Sequence, residues 1–472
     1  MQFATKATPE AIKAVADAQR SVFWLDRPER PEPLAPLVEN IDADLVIVGG
    51  GFTGLWTALL ANDVDPDKDI VLIERTRIGD GGTGRNGGFV AASLTHGFGN
   101  GLSRWPEELS TLLEFGQRNL EDIETFVKLN GIDCDFRRAG EIDVAVADHQ
   151  VSELRESVQQ MKEFGLDVEF LDQDAMQGRV ASPTYLAGLW DQHSVALVDP
   201  ARLAWGLLET ARRRGIRIYE NTEITDFDDE HDRVVLHAGS QRVTAAKAVI
   251  ATNAFPSLIS SVRHRVVPVY DYVLMTEPLT DSQWRAIGWA DREGVSDSGN
   301  QFHYYRPTED GRILWGGYDA VYHSGNGFGP QFENDDDAYQ RLATHFLQTF
   351  PQLDGIRFTH AWGGAIDTCS RFTAFWGTEA AGKVAYVAGF TGLGVGSSRF
   401  AAQVTLDLLD DHDSTRTRLE MVRSKPLPFP PEPLRSLGIK WTTTSLQHAD
   451  AKGGRRNLWL RTLDRLGLGF DS

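Results

Sequence analysis

The chain has 472 residues, 41% hydrophobic and 24% charged, enough to bury the cores of about two or three soluble domains. Its net charge of −20 leaves no large basic surface to neutralise phosphates, which argues against a nucleic-acid partner. Its two cysteines, Cys134 and Cys369, exclude a disulfide framework and a thiolate metal cage.

With so little cysteine, a cytoplasmic location is the simplest expectation. The first 30 residues hold no uninterrupted apolar core behind a basic start, so no signal peptide is expected. Thr8 and Pro9 in "TPEAIKAVADAQRS" predict an N-cap and first helical position, and "RPERPEPLAP" after them reads as a polyproline arm. "ADLVIVGGGFTGLWTALLA" predicts a buried strand, a glycine turn and a helix; "DIVLIER" (69–75) is a parallel partner strand. The glycines interrupt the longest apolar stretch, Leu45 to Ala61, so no transmembrane segment is expected. Farther on come a strand in 136–147, a helix from 151 and an amphipathic helix ended by Gly215. Strands follow at 247–254, 265–278 and 301–317, the last two rich in Tyr, Val and Trp. "KVAYVAGFTGLGVGSSRFAAQVTLDLLDD" repeats strand, glycine turn and helix. The acidic run "ENDDDAY" (333–339) reads as solvated loop charge, and no metal site is expected.

Two runs fit G-x-G-x-x-G: Gly49, Gly51 and Gly54, and Gly79, Gly81 and Gly84. Only the first follows a strand directly and opens a helix, through Phe52 and Thr53, whose N-terminus would face a pyrophosphate. Gly49 allows the tight turn, Gly51 the approach of the phosphates, and Gly54 the packing of helix on strand. Glu74, followed by Arg75, ends the second strand where a carboxylate accepts ribose hydroxyls. The second run has "RTRI" between it and its strand and no second acidic ligand, so it is not another nucleotide fingerprint.

Together the fingerprint, Glu74, "GDGGTGRNGG", "VDPARL", "VIATNA" and "VAGFTGLGVG" resemble the D-amino-acid-oxidase-type flavoproteins, over roughly residues 40 to 410. The "GRNGG" spelling and the "FWLDRPERPEPL" arm are most similar to the γ-glutamylputrescine oxidase branch. The resemblance implies non-covalent FAD. It implies that Gly82, Thr83, Gly84, Arg85, Asn86, Gly87 and Gly88 cross the flavin, with Arg85 and Asn86 contacting FAD phosphate or neighbouring backbone. It also implies that Thr252 and Asn253 border the cofactor and that Gly392, Leu393 and Gly394 meet the flavin pyrimidine, where a helix N-terminus stabilises negative charge. The expected fold is α/β, a Rossmann-like FAD-binding domain with an inserted antiparallel β-rich substrate domain. Residues 1–40 would form an N-terminal helix and arm. The FAD-binding domain would take 41–131, 165–260 and 360–412, the substrate domain 132–164 and 261–359, and a C-terminal extension 413–472.

The implied reaction moves a hydride from the carbon of a C–N bond to flavin N5, leaving an imine that water hydrolyses; a side-chain base is not required. Amino-acid-oxidising members carry W-x-G-x-R, whose arginine clamps the substrate carboxylate; here "WGGAID" puts Ile366 there. Sarcosine oxidases carry a lysine where Gly396 stands. With both clamps missing, the expected substrate is an amine lacking an α-carboxylate, a polyamine derivative or another alkylamine, with H2O2 as co-product. Tyr270, Tyr272, His303 and Tyr305 are candidates for an aromatic wall, and Tyr270, His303 and Tyr305 are taken as substrate-site residues. Alternation puts His303 and Tyr305 on one face and Tyr304 on the other, and leaves open which faces inward. Packing in a β-rich domain accounts for them equally well. Cys369 reads as a buried thiol.

The basic segment "KGGRRNLWLRTLDRLGLGF" gathers Leu458, Leu460, Leu463 and Leu466 on one helix face; docking on the protein's own body is preferred to a membrane surface. The alternative among flavoenzymes is an FAD-dependent amine or amino-acid dehydrogenase that passes electrons to a quinone or protein carrier rather than to O2, and assembly into a homo-oligomer is open. A flavin monooxygenase is the rival from another class; it lacks support because the last glycine motif has the amine-oxidising form.

Overall fold

The computed structural model describes residues 3–465 and 468. Thr8 caps the helix Pro9–Val15, its hydroxyl accepting from Ala11 N at 3.2 Å. An eight-stranded sheet then runs in the spatial order Phe375–Glu379, Val384–Ala388, Gln241–Ile250, Ile41–Val48, Ile70–Ile73 and Arg217–Tyr219. Val234–Ala238 and Asp226–Asp229 extend it from Gln241–Ile250. Val48 pairs in parallel with both Ile250 and Ile73, so the strand ends that carry the glycine turn and Glu74 lie side by side. Leu45, Val46, Ile47, Ile70, Val71 and Leu72 are buried, as a parallel sheet covered on both faces requires. The helices Phe52–Val64, Pro200–Arg213 and Gly394–Leu409 pack with it.

The second sheet has nine strands. In order they are Val321–Tyr322, Val266–Thr276, Ile313–Gly317, His303–Pro307, Gly294–Asp297, Glu141–Ala145, Ala187–Asp191 and Val168–Leu171, with Phe358–Cys369 also paired along Val266–Thr276. All its pairs are antiparallel except Gly294–Asp297 with Glu141–Ala145. One face holds an aromatic core that includes Tyr270, Tyr305, Trp315, Phe346 and Phe350 and packs on the helix Asp336–Thr349.

Sheet membership departs from the expected division at three strands. Val168–Leu171 and Ala187–Asp191, expected in the first unit, join the second sheet, because Ala187–Asp191 folds back antiparallel on Glu141–Ala145. Phe358–Cys369 also starts there and reaches toward the last glycine motif only at its end. The acids of "ENDDDAY" are loop charge only in part: Glu333 and Asp335 precede a helix, and Asp336 and Asp337 are exposed but helical. Asp335 caps Asp336–Thr349 by accepting from Ala338 N at 3.0 Å, and Asp336 and Asp337 occupy its first turn, where they complement the helix dipole.

Candidate active site

A cavity of about 860 Å³ runs from the glycine turn after Val48 to the face of the second sheet opposite its aromatic core. At the near end Gly49 takes φ +113°, and the helix Phe52–Val64 starts at Gly51 without a side-chain cap. Phe52 N–H donates to Thr83 Oγ1 at 3.0 Å, tying the two glycine runs together. A methyl group at Gly54 would overlap the Gly49 carbonyl, so helix and strand approach through bare backbone. Glu74 accepts from Gly50 N (2.7 Å), Thr76 N (2.8 Å) and Thr76 Oγ1 (3.0 Å). Burial raises its carboxyl pKa, and those bonds pull it back. Arg75 lies over the Phe255 ring and pairs with Glu223 at 3.5 Å.

The second glycine run forms a single turn of helix, Gly82–Arg85, and enters the strand Phe89–Ala91. Its polar residues serve neighbouring groups. Arg85 donates to Asp80 O (2.9 Å) and Gly363 O (3.0 Å) and pairs with Glu333 (2.8 Å). Asn86 donates to Gly82 O and Thr83 O and accepts from Gly88 N at 2.8 Å. Gly82, Thr83, Arg85, Asn86 and Gly87 line the cavity. Gly54, Gly84 and Gly88 do not: side chains there would overlap the carbonyls of Gly49, Gly79 and Val198, so these three glycines serve close packing.

Thr252, Asn253, Gly392, Leu393 and Gly394 close the same end. Gly392 has φ +95°, and the helix Gly394–Leu409 begins at Leu393, again without a side-chain cap. Asp367, buried beneath, accepts from Gly389 N (2.6 Å) and Phe390 N (3.1 Å); burial pushes its pKa up to about 6 against those bonds. Two uncapped helix N-termini, a carboxylate at the strand end and the open face of Gly82 are the donor set and clearance that a flavin dinucleotide needs. These residues fit FAD.

The far end corrects the expected aromatic wall. Val267, Val269, Asp271 and Val273 face the cavity, and the alternate residues Tyr270 and Tyr272 point into the aromatic core. Tyr270 Oη accepts from Gly329 N at 3.0 Å. On His303–Pro307 it is Tyr304 that faces the cavity. Tyr305 bonds to Tyr185 Oη at 2.6 Å, and His303 is sealed between Asp297 (2.6 Å) and His345 (2.9 Å). Tyr270, His303 and Tyr305 therefore do not line the site. Period-2 alternation from Val267 carried the signal, but only if the "V-x-V-x-D-x-V" valines were taken as the inward set.

Acidic groups dominate the charge of this wall: Glu141, Asp271 and Asp319 all line it. Asp319 pairs with Arg341 at 2.8 Å. Glu141 and Asp143 share the Ser296 hydroxyl, and burial raises the pKa of both. The arginines that reach the cavity are all engaged: Arg75 with Glu223, Arg85 with Glu333, and Arg435 with Asn326 at 2.7 Å. Ile366 lines the wall as an apolar group. Gly396 cannot carry a side chain, because a Cβ there would overlap the Ala91 carbonyl.

The C-terminal segment roofs the cavity. Ile439, Thr442, Leu446, Trp459, Leu460 and Leu463, from the helices Leu434–Ala451 and Leu458–Arg465, line it. Asp450 accepts from Asn300 N (3.1 Å) and Gln301 N (3.3 Å), Tyr322 Oη donates to Glu432 (2.7 Å), and Trp441 stacks on Trp459 at 4.9 Å. Of the leucines expected on one face, Leu460 is buried, Leu458 is exposed, and Leu466 lies outside the described residues. Cys134 and Cys369 are buried free thiols. Among the described residues no helix is long and apolar enough to cross a membrane, and no group of three His, Cys, Asp or Glu could hold a metal ion.

Comparison with known proteins agrees with this geometry. The chain is 32% identical to gamma-glutamylputrescine oxidoreductase of Escherichia coli (strain K12), over 82% of its length and 88% of that protein's. It is 28% identical to a probable oxidoreductase OrdL of Rhizobium meliloti (strain 1021), over 81% and 86%. Its fold is similar to the crystal structure of glycine oxidase from Geobacillus kaustophilus, with a TM-score of 0.66, 18% identity, and 79% and 96% of the two chains covered. Residues 44–408, which carry all three glycine motifs, match the family described as DAO, FAD dependent oxidoreductase. The chain belongs to this family of FAD-dependent oxidoreductases, and FAD is its cofactor.

Proposed function

We propose that this enzyme oxidises the C–N bond of an amine that carries no α-carboxylate, a polyamine derivative or another alkylamine, and passes the electrons to O2. FAD, when bound, supplies the hydride acceptor. In this reading the first uncapped helix, with Gly49 and Gly51, holds the pyrophosphate, and Glu74 takes the ribose hydroxyls. The Gly82–Gly88 run and Thr252–Asn253 border the flavin, and the amides from Gly392 to Gly394 face its pyrimidine. The roof helices exclude water, so that the amine reacts desolvated.

The observation that carries the substrate class is the charge of the wall. Of the three arginines reaching the cavity, Arg75 and Arg85 are held by carboxylates and Arg435 is engaged by Asn326 and the Pro430 carbonyl in the roof. Ile366 is apolar, Gly396 is closed to any side chain, and the charge of the second-sheet wall is acidic. A substrate carboxylate buried without a cationic partner would cost on the order of 2–5 kcal/mol of binding. An ammonium meets the opposite situation. The similarity to the gamma-glutamylputrescine oxidoreductase points the same way. The test is product analysis in air with alkylamines, diamines and their γ-glutamyl amides against α-amino acids. Aldehyde and H2O2 from the amines support the reading; turnover of α-amino acids alone overturns it.

A further inference from the structure

Asp271, like Glu141 and Asp367, is an acid of the cavity lining with no cation beside it, and it differs from those two in being held by a tyrosine hydroxyl. It projects from the middle of Val266–Thr276, opposite Gly364, and is deeply set yet open to the cavity. Tyr304 Oη donates to its Oδ2 at 2.5 Å, and Tyr272 N–H donates to Oδ1 at 2.8 Å. Among the described residues no lysine, arginine or histidine pairs with it, whereas Asp319 has Arg341 and Glu333 has Arg85. A carboxylate taken out of water without a counter-ion is costly, and proteins pair such groups or use them.

The surroundings are built to hold this pair. The Tyr304 ring reaches Asp271 across Gly316, where a Cβ would stand 2.7 Å from its Cζ and Oη. On the cofactor side it meets Gly87, where a Cβ would stand 2.7 Å from Cε2. Two glycines thus leave room for one tyrosine, between the loop assigned to the flavin and the sheet. The titratable groups facing Asp271 from its neighbours are Tyr304 itself, Tyr318, Asp319 with its Arg341, and Arg85, which lies over Gly364 and is held by Glu333.

We infer that Asp271, held by Tyr304, is the site that binds the substrate ammonium and accepts its proton before the carbon is oxidised. The inference rests on the amine-oxidising reading above and names the residue that would carry it. The step is a proton transfer: one N–H bond of R–CH2–NH3+ breaks and one carboxyl O–H bond forms. The electron pair stays on nitrogen, and nothing is oxidised or reduced. The product is the neutral amine that hydride loss requires. Burial pushes the Asp271 pKa up to about 6, opposed by the bonds from Tyr304 and the Tyr272 amide, so the free enzyme presents an ionised acceptor only above that pH.

The test uses full-length, FAD-loaded protein and tert-butylamine, an ammonium without an α-hydrogen that binds but cannot be oxidised. Calorimetry from pH 5 to about 9 should show affinity falling roughly tenfold per unit below about pH 6. Asp271→Asn should weaken binding at least tenfold at pH 8, remove the acid limb and keep normal flavin occupancy. Tyr304→Phe should keep the limb but move it to higher pH, because the bond that favours ionisation is gone. Unchanged affinity and an unchanged limb in Asp271→Asn would overturn the assignment, even with amines still oxidised. If tert-butylamine binds through Asp271 but no oxidisable amine bleaches the wild-type flavin, the binding site stands and the amine-oxidising reading falls.

Discussion

Tyr304 Oη donates to Asp271 Oδ2 at 2.5 Å, and the ring that makes this bond fits only because residues 87 and 316 are glycines. One relationship thus joins the glycine run of the cofactor end, the second sheet and a carboxylate without a cation. Gly316→Ala should therefore act like a substitution of Tyr304. Overpacking costs about 1–3 kcal/mol, enough to displace the ring and lower kcat/KM for amines by tenfold or more. Gly316 does not itself line the cavity, so FAD occupancy should not change. Loss of flavin in this variant would show that the sheet contact supports the cofactor instead.

The same carboxylate should weaken the protein that it equips. The pKa of Asp271 is raised by folding from the ordinary carboxylate range to about 6, so the folded state resists its ionisation. Stability from this group is complete below the unfolded pKa and is lost as pH rises to about 6. At about 1.36 kcal/mol per pH unit, Asp271→Asn should stabilise the ligand-free protein by about 2–3 kcal/mol at pH 8. It should do almost nothing at pH 4. Urea unfolding at the two pH values reads the difference, and equal effects at both would refute the linkage.

At the nucleotide end, Gly51→Val should empty the protein of FAD. A Cβ at Gly51 would stand 2.9 Å from Thr83 Oγ1, the acceptor of the Phe52 amide, and the branched side chain would fill the approach to the helix N-terminus. A variant that purifies yellow with normal occupancy would refute the assignment of the phosphate loop.

Restoring either carboxylate clamp should have unequal results. Gly396→Lys drives a Cβ into the Ala91 carbonyl and should lower Tm sharply or abolish folding. Ile366→Arg places a guanidinium in an accommodating wall; it should fold, bind amines at least tenfold more weakly and gain affinity for carboxylates. Thermal melts with calorimetry against acetate and tert-butylamine distinguish them.

The strand, glycine turn and helix around Gly49 were legible in the sequence because their signals are local. Gly49, Gly51 and Gly54 stand between a strand and a helix that periodicity alone predicts, and Glu74 follows at a fixed distance. The substrate wall was not, because alternation gives two faces and no direction. Tyr304 alternates with His303 and Tyr305 in "HYYRP", and Asp271 stands between Tyr270 and Tyr272, whose aromatic character marks the core face and not the cavity face. The sheet membership of Val168–Leu171 and Ala187–Asp191 depends on a long-range antiparallel return that no short window records. The roof was readable as an amphipathic helix, but not the surface it covers.

On the proposed function, the substrate is an amine without an α-carboxylate. The most direct measurement is anaerobic stopped-flow reduction of the bound flavin by putrescine, its γ-glutamyl amide and simple alkylamines, beside glycine, sarcosine and other α-amino acids. Rapid bleaching by members of the first group, with the second at least a hundredfold slower, is the predicted result. Bleaching by α-amino acids alone would contradict it and show that some group in the wall supplies the carboxylate clamp that Ile366 and Gly396 do not.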